Sequence, residues 1–347
     1  MAIVDSRDLH PTLQRMSQPT PRPVSPNDSL PPVEPPSAGF LVQLFLVPAI
    51  IVAIIVCVWL AFHWLAHLGN DPQSYVRTLR RSNEGRWQAA LNLANDLRGP
   101  GGAALKTDEA LASELGRILA EEVKSGRTGE QSQTLRLYLC RALGEFTIPA
   151  AVGPLVEQAE RVADPQTSRA AVEALAVLST NLVAADRFAE APDGIVPAVV
   201  SASKSDDAPL RGAAAFTLGV VGGDEAVERL VQLAADDNDD VRFNAALGLA
   251  RQGRDEAIDT LAEMLALQDE APPPGSDDPA AQSRRYKRAL VVINALRGVA
   301  ALVDATSTPP PAVIVERIEA LQKDPVGDVR SSAAALLKKI ERLRKAA

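Results

Sequence analysis

Histidine and cysteine are the side chains best suited to metal binding and nucleophilic catalysis, and this chain has three histidines and two cysteines. His63 and His67 are spaced i, i+4, which places both imidazoles on one face of a helix, as in helical metal or haem sites. No third ligand accompanies them, so we interpret them as polar side chains. Cys57 lies in a long apolar run, and Cys140 lies in LRLYLCRALGEF. A small buried apolar side chain is the usual role of such a cysteine.

The acidic segment 236–240, DDNDD, resembles the opening of a calcium-binding loop. The sixth position of that loop should be glycine and the twelfth glutamate, but Val241 and Leu247 occupy them. We therefore interpret the segment as a solvated turn. All three histidines precede residue 69, so the folded region that follows has none for acid-base catalysis. The sequence predicts no catalytic, cofactor-binding or metal site, and no enzyme.

A short basic run is the remaining candidate binding site. Arg284, Arg285, Lys287 and Arg288 flank Tyr286 at the start of a predicted helix. These side chains could contact anionic lipid or an acidic partner, or they could form an ordinary solvated helix face. The formal net charge of the whole chain is −8 at pH 7, which repels polyanions, so we predict no binding to nucleic acid.

The composition divides the chain and favours helices. Aromatic residues make up 4% of the 347 residues, which is too few for large sheets, so the prediction is an all-α protein. Residues 1–39 contain nine of the 26 prolines and have almost no apolar periodicity, which predicts a disordered tail.

An uncharged apolar run follows the tail. Residues 41–65 contain no Asp, Glu, Lys or Arg, and as a helix they would extend about 37 Å, enough to cross a bilayer with some tilt. The run is too long for a signal-peptide core. We predict an uncleaved transmembrane helix over 40–68, with Trp59 and Trp64 as anchors at the membrane interface.

The rest of the chain contains an internal repeat. Residues 210–235 align with 241–266 at an offset of 31, with ten of 26 positions identical. Each copy predicts an alanine-rich helix that begins near an arginine and stops at a glycine in the left-handed conformation, then a second helix that begins at Asp-Glu-Ala. The stop glycines are Gly222 and Gly253, and the predicted N-caps of the second helices are Asp224 and Asp255.

The pattern D-x-V-R-x-x-A-A-x-x-L, followed by Gly and D-E-A-[VI]-x-x-L, resembles HEAT repeats, and the 31-residue period is similar to the short HEAT-like variety also found in phycobilisome lyases. The resemblance covers 130–267 and 312–345. It implies a HEAT-type α-solenoid, a right-handed superhelix of helical hairpins whose second helices line the concave side. It also implies ladders of Arg and Asp between stacked helices, here Arg136, Arg169, Arg211, Arg242 and Arg330, with Asp240 and Asp328 two positions before the last two.

The predicted organisation is thus a tail (1–39), a transmembrane helix (40–68), a helical membrane-proximal cap (69–129) and a solenoid (130–347) with a loop insertion at 268–283. This organisation predicts a membrane-anchored scaffold that binds a protein partner through its concave face. Two alternatives remain: an enzyme or enzyme accessory similar to the HEAT-like bilin lyases, and a solenoid that binds anionic lipid through the basic run.

The orientation of the predicted anchor follows from the arginines near its ends, and we expect the solenoid on the cytoplasmic side. One arginine lies close before the apolar run and four follow it, namely Arg22 and then Arg77, Arg80, Arg81 and Arg86. A C-terminal reporter that is active on one side of the membrane should therefore be active in the cytoplasm. Four lysines inserted between Pro31 and Ala38 should weaken or invert this preference. A wild-type reporter that is active only outside the cytoplasm would contradict the orientation.

Overall fold

The computed structural model describes residues 37–67, 72–81, 85–268 and 278–346. The chain divides into two compact units, Met1–Ala66 and His67–Ala347. Within the described ranges every regular element is a helix, which confirms the all-α prediction. Most of the predicted tail, residues 1–36, lies outside the described residues.

The first unit is described as one helix, α1 (Ala38–His67). By length and composition its segment Val42–Phe62 could cross a membrane, and none of that segment is buried inside the protein. Large apolar side chains such as Phe45 and Ile55 are more than half exposed. Trp59 is exposed as well, whereas the side chains of His63, Trp64 and His67 are outside the described set.

The second unit is an α-solenoid of helical hairpins in two layers. One layer contains α3 (Arg86–Arg98), α5 (Glu130–Gly144), α7 (Pro165–Ala184), α9 (Ala208–Val221), α11 (Asp239–Arg251), α13 (Pro279–Thr306) and α15 (Gly327–Ala346). The other contains α2 (Pro72–Arg80), α4 (Glu109–Lys124), α6 (Val152–Ala159), α8 (Ile195–Ala202), α10 (Asp224–Leu233), α12 (Ile258–Leu265) and α14 (Ala312–Ala320). Each helix of the first layer packs along the next, and buried alanines recur in all of them, so we call it the alanine-rich layer.

The predicted cap at 69–129 packs like the rest of the stack. Helix α3 lies along α5 as α5 lies along α7, and α4 packs against both α5 and α6. Leu93, Leu97, Leu115 and Leu119 are fully buried in these contacts. The boundary predicted at residue 130 therefore has no counterpart in the packing, because apolar burial continues across it without the repeat's sequence signature.

Helix α13 begins earlier than predicted. Its N-cap is Asp278, whose carboxylate accepts a hydrogen bond from the backbone N–H of Ala280, and Pro279 occupies the first helical position. Residues 279–283 are therefore helical, contrary to the predicted loop at 268–283, and 269–277 lie outside the described residues. This helix is also long and apolar enough to span a membrane, but 44% of its most apolar stretch is buried against the solenoid.

Helix termini in the repeat follow the sequence only in part. Gly222 and Gly253 have φ of +71° and +67°, as predicted. Asp224 and Asp255 are not N-caps: each is the first residue of its helical turn, and neither accepts a capping bond. In this part of the chain, side-chain caps begin helices of the alanine-rich layer, where an oxygen accepts from the backbone N–H three residues on, at Asp164, Asp207 and Asn238.

Glycines allow α9 and α11 to lie very close together. A Cβ atom added at Gly219 would lie 2.4 Å from the Cα of Gly248, a backbone atom that cannot move aside. A Cβ added at Gly248 would meet Gly219 Cα at 3.0 Å and a methyl of the buried Leu230 at 3.1 Å. The contact between these two helices thus requires the absence of side chains.

We expect Gly219→Ala to lower the free energy of unfolding by about 1–3 kcal/mol, because the added methyl forces the two helices apart. The matched control is Gly212→Ala in the same helix, α9, where an added Cβ would lie 3.7 Å from its nearest neighbour, an ordinary van der Waals distance. That change should be neutral or stabilising by up to about 1 kcal/mol. Urea unfolding followed by circular dichroism measures both, and equal effects would contradict the close-contact argument.

Candidate functional site

Arg211 lies in the first turn of α9. Its guanidinium connects the turn that precedes α9 to the turn that precedes α11. Its Nη1 donates to the carbonyl oxygens of Ser205 and Asp206 at 3.0 and 3.1 Å. Its Nε and Nη2 donate to the two carboxylate oxygens of Asp236 at 2.8 and 2.9 Å. The hydrogen bonds from Arg211 lower the pKa of Asp236, so this carboxylate stays charged well into the acidic range.

Two further predicted arginines also donate to backbone carbonyl oxygens just before their own helices. Arg242 Nη1 donates to the carbonyls of residues 236 and 237, and Arg330 Nη1 donates to those of 324 and 325. In all three cases the acceptors lie six and five residues before the arginine. Arg242 also binds Glu263 of the following helix at 2.9 Å. Asp236 therefore joins two arginines, through its carboxylate to Arg211 and through its carbonyl to Arg242.

The same double contact recurs at positions that the sequence did not predict fully. Arg86 donates to the Leu79 carbonyl and to Glu122, both at 2.7 Å. Arg136 binds Asp164 at 2.5 Å, and Arg288 binds the Leu267 carbonyl at 2.8 Å and Asp324 at 2.5 Å. We call the set the arginine ladder: Arg86, Arg136, Arg211, Arg242, Arg288 and Arg330.

Three of the predicted ladder residues lie elsewhere. Asp240 and Asp328 form no ion pair with any described residue, since each precedes its arginine by two positions and so points about 200° away around the helix. The side chain of Arg169 is 43% exposed and, among the described residues, pairs only with Glu173, at 3.6 Å. The ladder position of α7 belongs to the preceding residue, Ser168, whose buried hydroxyl donates to the Ala159 carbonyl.

The basic run also divides. Arg288 belongs to the ladder, and its side chain is only 12% exposed. It is therefore not available to an anionic partner, contrary to the prediction. Arg284 lies 3.9 Å from Asp278, and Tyr286 is exposed. Lys287 is exposed and Arg285 is half-buried. The helical period places Arg288 on the face toward the neighbouring hairpin. The sequence of the basic run alone does not show this.

A groove crosses the outer face of the alanine-rich layer from α7 to α13. Its walls include Arg169 and Glu173 on α7, and its floor includes Phe216 on α9 and Leu247 on α11. A continuation runs along α11 to Arg251 and to α13, where Arg297 lies. This groove is on the helices predicted to be first in each hairpin, whereas the resemblance implied a binding face on the second helices.

Polar groups in the groove have unused bonding capacity. The guanidinium of Arg251 lies 5.2 Å from the ring centroid of the partly exposed Phe216. Asn244 is half-buried, and its side-chain amide makes no hydrogen bond to any described residue.

Outside the groove, burial raises the pKa of the Cys140 thiol to about 12, so this thiol is not a nucleophile at neutral pH.

Comparisons with known proteins give one family match. Residues 196–272, which cover most of α8 to α12, are similar to the family model of HEAT repeats. No curated protein sequence matches this chain.

Similar solved structures have low TM-scores. Human deoxyhypusine hydroxylase in complex with glycerol is 19% identical, covering 79% of this chain and 97% of its own, with a TM-score of 0.31. A designed armadillo repeat protein in complex with the peptide (KR)4 is 16% identical, covering 78% and 98%, with a TM-score of 0.37. An engineered protein is 19% identical, covering 79% and 99%, with a TM-score of 0.36.

The ladder predicts different costs for two arginines that look alike in sequence. Arg211→Met removes two bonds to the Asp236 carboxylate and two to backbone carbonyls, and it leaves the largely buried Asp236 unpaired, so the free energy of unfolding should fall by about 2 kcal/mol or more. Arg169→Met removes one exposed i, i+4 pair and should cost no more than about 0.5 kcal/mol. Urea titration of both variants measures the difference, and similar losses would argue against the ladder as a main support.

Proposed function

We propose that this protein is a membrane-anchored scaffold whose HEAT-repeat solenoid binds a protein partner in the groove across α7 to α13. The groove itself carries the proposal, because it presents an exposed aromatic ring, Phe216, beside Asn244, whose side-chain amide has no hydrogen bond to any described residue. The HEAT repeats at 196–272 include α9 and α11, at the centre of the groove. Repeat folds of this kind generally bind proteins over an extended face, and we infer that the hairpins wind into the right-handed superhelix that the resemblance implies.

Helix α1 supports the anchor. Its 30 residues would extend about 45 Å, and the apolar side chains of Val42–Phe62 have no covering protein surface in the described unit. In water, exposed apolar area costs about 25 cal/mol per Å², so a bilayer is the favourable environment for this helix. The cytoplasmic position of the solenoid remains a prediction from the flanking arginines.

The two alternative functions gain less support. A bilin-lyase-like reaction would need a reactive group, and Cys140 is fully buried with a raised pKa. Binding of anionic lipid through the basic run loses Arg288, which is bound to Asp324. The scaffold therefore accounts for more of the described side chains than either alternative.

Site-specific photo-crosslinking in native membranes tests the scaffold. A photoreactive phenylalanine analogue at Phe216 in the groove should yield discrete protein adducts. The matched control is the same analogue at Val313, an exposed apolar residue on α14 in the other layer. Filling the groove by Asn294→Trp should abolish the adducts from position 216, whereas Val313→Trp should not. Identical adducts from both sites, or adducts that survive Asn294→Trp, would refute partner binding in the groove.

A further inference from the structure

Two arginines at one end of the groove lack an acidic partner. Arg251, the last residue of α11, forms no ion pair or hydrogen bond with any described residue, and Arg297 on α13 only approaches the side-chain oxygen of Asn294, at 3.5 Å. Arg211 and Arg242, on the same two neighbouring helices α9 and α11, each bind a carboxylate. The unpaired arginines both line the continuation of the groove along α11.

The guanidinium of Arg251 is held in place although it is unpaired. Its Cζ lies 5.2 Å from the centroid of the Phe216 ring, within range of a cation–π interaction that restricts the side chain. An arginine that is restricted in this way and has unused N–H donors binds a carboxylate with less further loss of side-chain entropy. This end of the groove therefore favours an anionic group.

The rest of the groove indicates what carries that group. Phe216 and Leu247 give an apolar floor, and the free amide of Asn244 lies between the two depressions and can both donate and accept. A polypeptide backbone presents alternating donors and acceptors, and its side chains can fill an apolar floor. A nucleic acid would bring many phosphates to a chain with a net charge of −8.

The other end of the groove has an acidic side chain without an ion pair, whereas Arg169 there is paired with Glu173. Asp240 lies in the first turn of α11 and forms no ion pair with a described residue. It is eleven residues before Arg251, about 16 Å along the helix axis, which corresponds to about five residues of extended chain. An acidic side chain is thus favoured at the Arg251 end and repelled at the Asp240 end, which defines a direction for a bound segment.

We propose that the groove binds an extended polypeptide segment of the partner, with an acidic side chain between Arg251 and Arg297 and its backbone hydrogen-bonded to Asn244. This inference rests on the proposed scaffold function and adds the chemistry of the partner. Arg251 and Arg297 determine the preference for an acidic segment, whereas Asn244 contributes to any extended segment.

Fluorescence anisotropy with the full chain in detergent micelles tests the inference. The probes are three labelled decapeptides of the same Ser-Gly-Leu background that differ only at two positions, which are glutamate, glutamine or lysine. The glutamate peptide should bind about tenfold more tightly than the glutamine peptide, and the lysine peptide most weakly. Asn244→Ala should weaken the glutamate and glutamine peptides by the same factor.

Charge reversal provides the decisive comparison. Arg251→Glu with Arg297→Glu should abolish the preference for glutamate or invert it toward lysine. The matched control is Arg161→Glu, which reverses an exposed arginine that pairs with Glu157 outside the groove and should leave the preference unchanged. Circular dichroism and the thermal midpoint verify that each variant is folded.

The results that would overturn the inference differ from those that would overturn the scaffold. Equal binding of the glutamate and glutamine peptides, no binding of any peptide, or an unchanged preference after charge reversal would refute the acidic segment. Tighter binding of a labelled single-stranded oligonucleotide than of the glutamate peptide would also refute it. If crosslinking from position 216 succeeds while these results occur, the scaffold stands and only the proposed partner chemistry is wrong.

Discussion

Five of the six ladder arginines use one guanidinium for two connections, and the stacking of the hairpins depends on them. One edge donates to backbone carbonyls that precede the helix, and the other binds a carboxylate in a neighbouring turn or helix. Arg330 makes only the first connection. Because an unpaired buried carbonyl or carboxylate is costly, adjacent hairpins are stable only in the register that provides both partners. The guanidinium is suited to this role, since it is planar, always charged and carries donors on several edges.

The pKa values of the ladder carboxylates reflect a balance between burial and hydrogen bonding. Burial alone would raise the pKa of Glu122, but hydrogen bonds from Ser132, Arg127 and Arg86 outweigh it and lower the pKa. Asp236 is likewise held below its usual pKa by Arg211. The unfolded chain therefore takes up protons first as the pH falls, so the stability from these pairs is present above about pH 4–5 and is lost as the pH falls through the folded-state pKa values. A series of such pairs resists shearing of the stack without a large aromatic core.

The ladder and the groove occupy the same layer of helices. Small residues let α9 and α11 approach until Gly219 and Gly248 are in contact, and the larger side chains on their outer faces then form the walls of the groove. Arg211, Arg242 and Arg330, in the first turns of their helices, belong to the ladder, whereas Arg251, at the end of α11, is left for a ligand. The neighbours that each arginine meets thus separate a structural from a binding role, and the proposed function depends on that separation.

The sequence by itself determined the helical class, the 31-residue repeat and the left-handed glycines at 222 and 253, because these follow from composition, periodicity and local conformation. It also marked Arg136, Arg211, Arg242 and Arg330, since an arginine that recurs near the start of the alanine-rich helices is visible as a pattern. The ladder partners Asp164, Asp236 and Asp324 could not be predicted, because they lie between 25 and 36 residues away in turns that only the packing brings near. For the same reason the role of Arg288 and the groove from α7 to α13 were decided by the tertiary structure, which determines the face of each helix that is buried and the charges that remain unpaired.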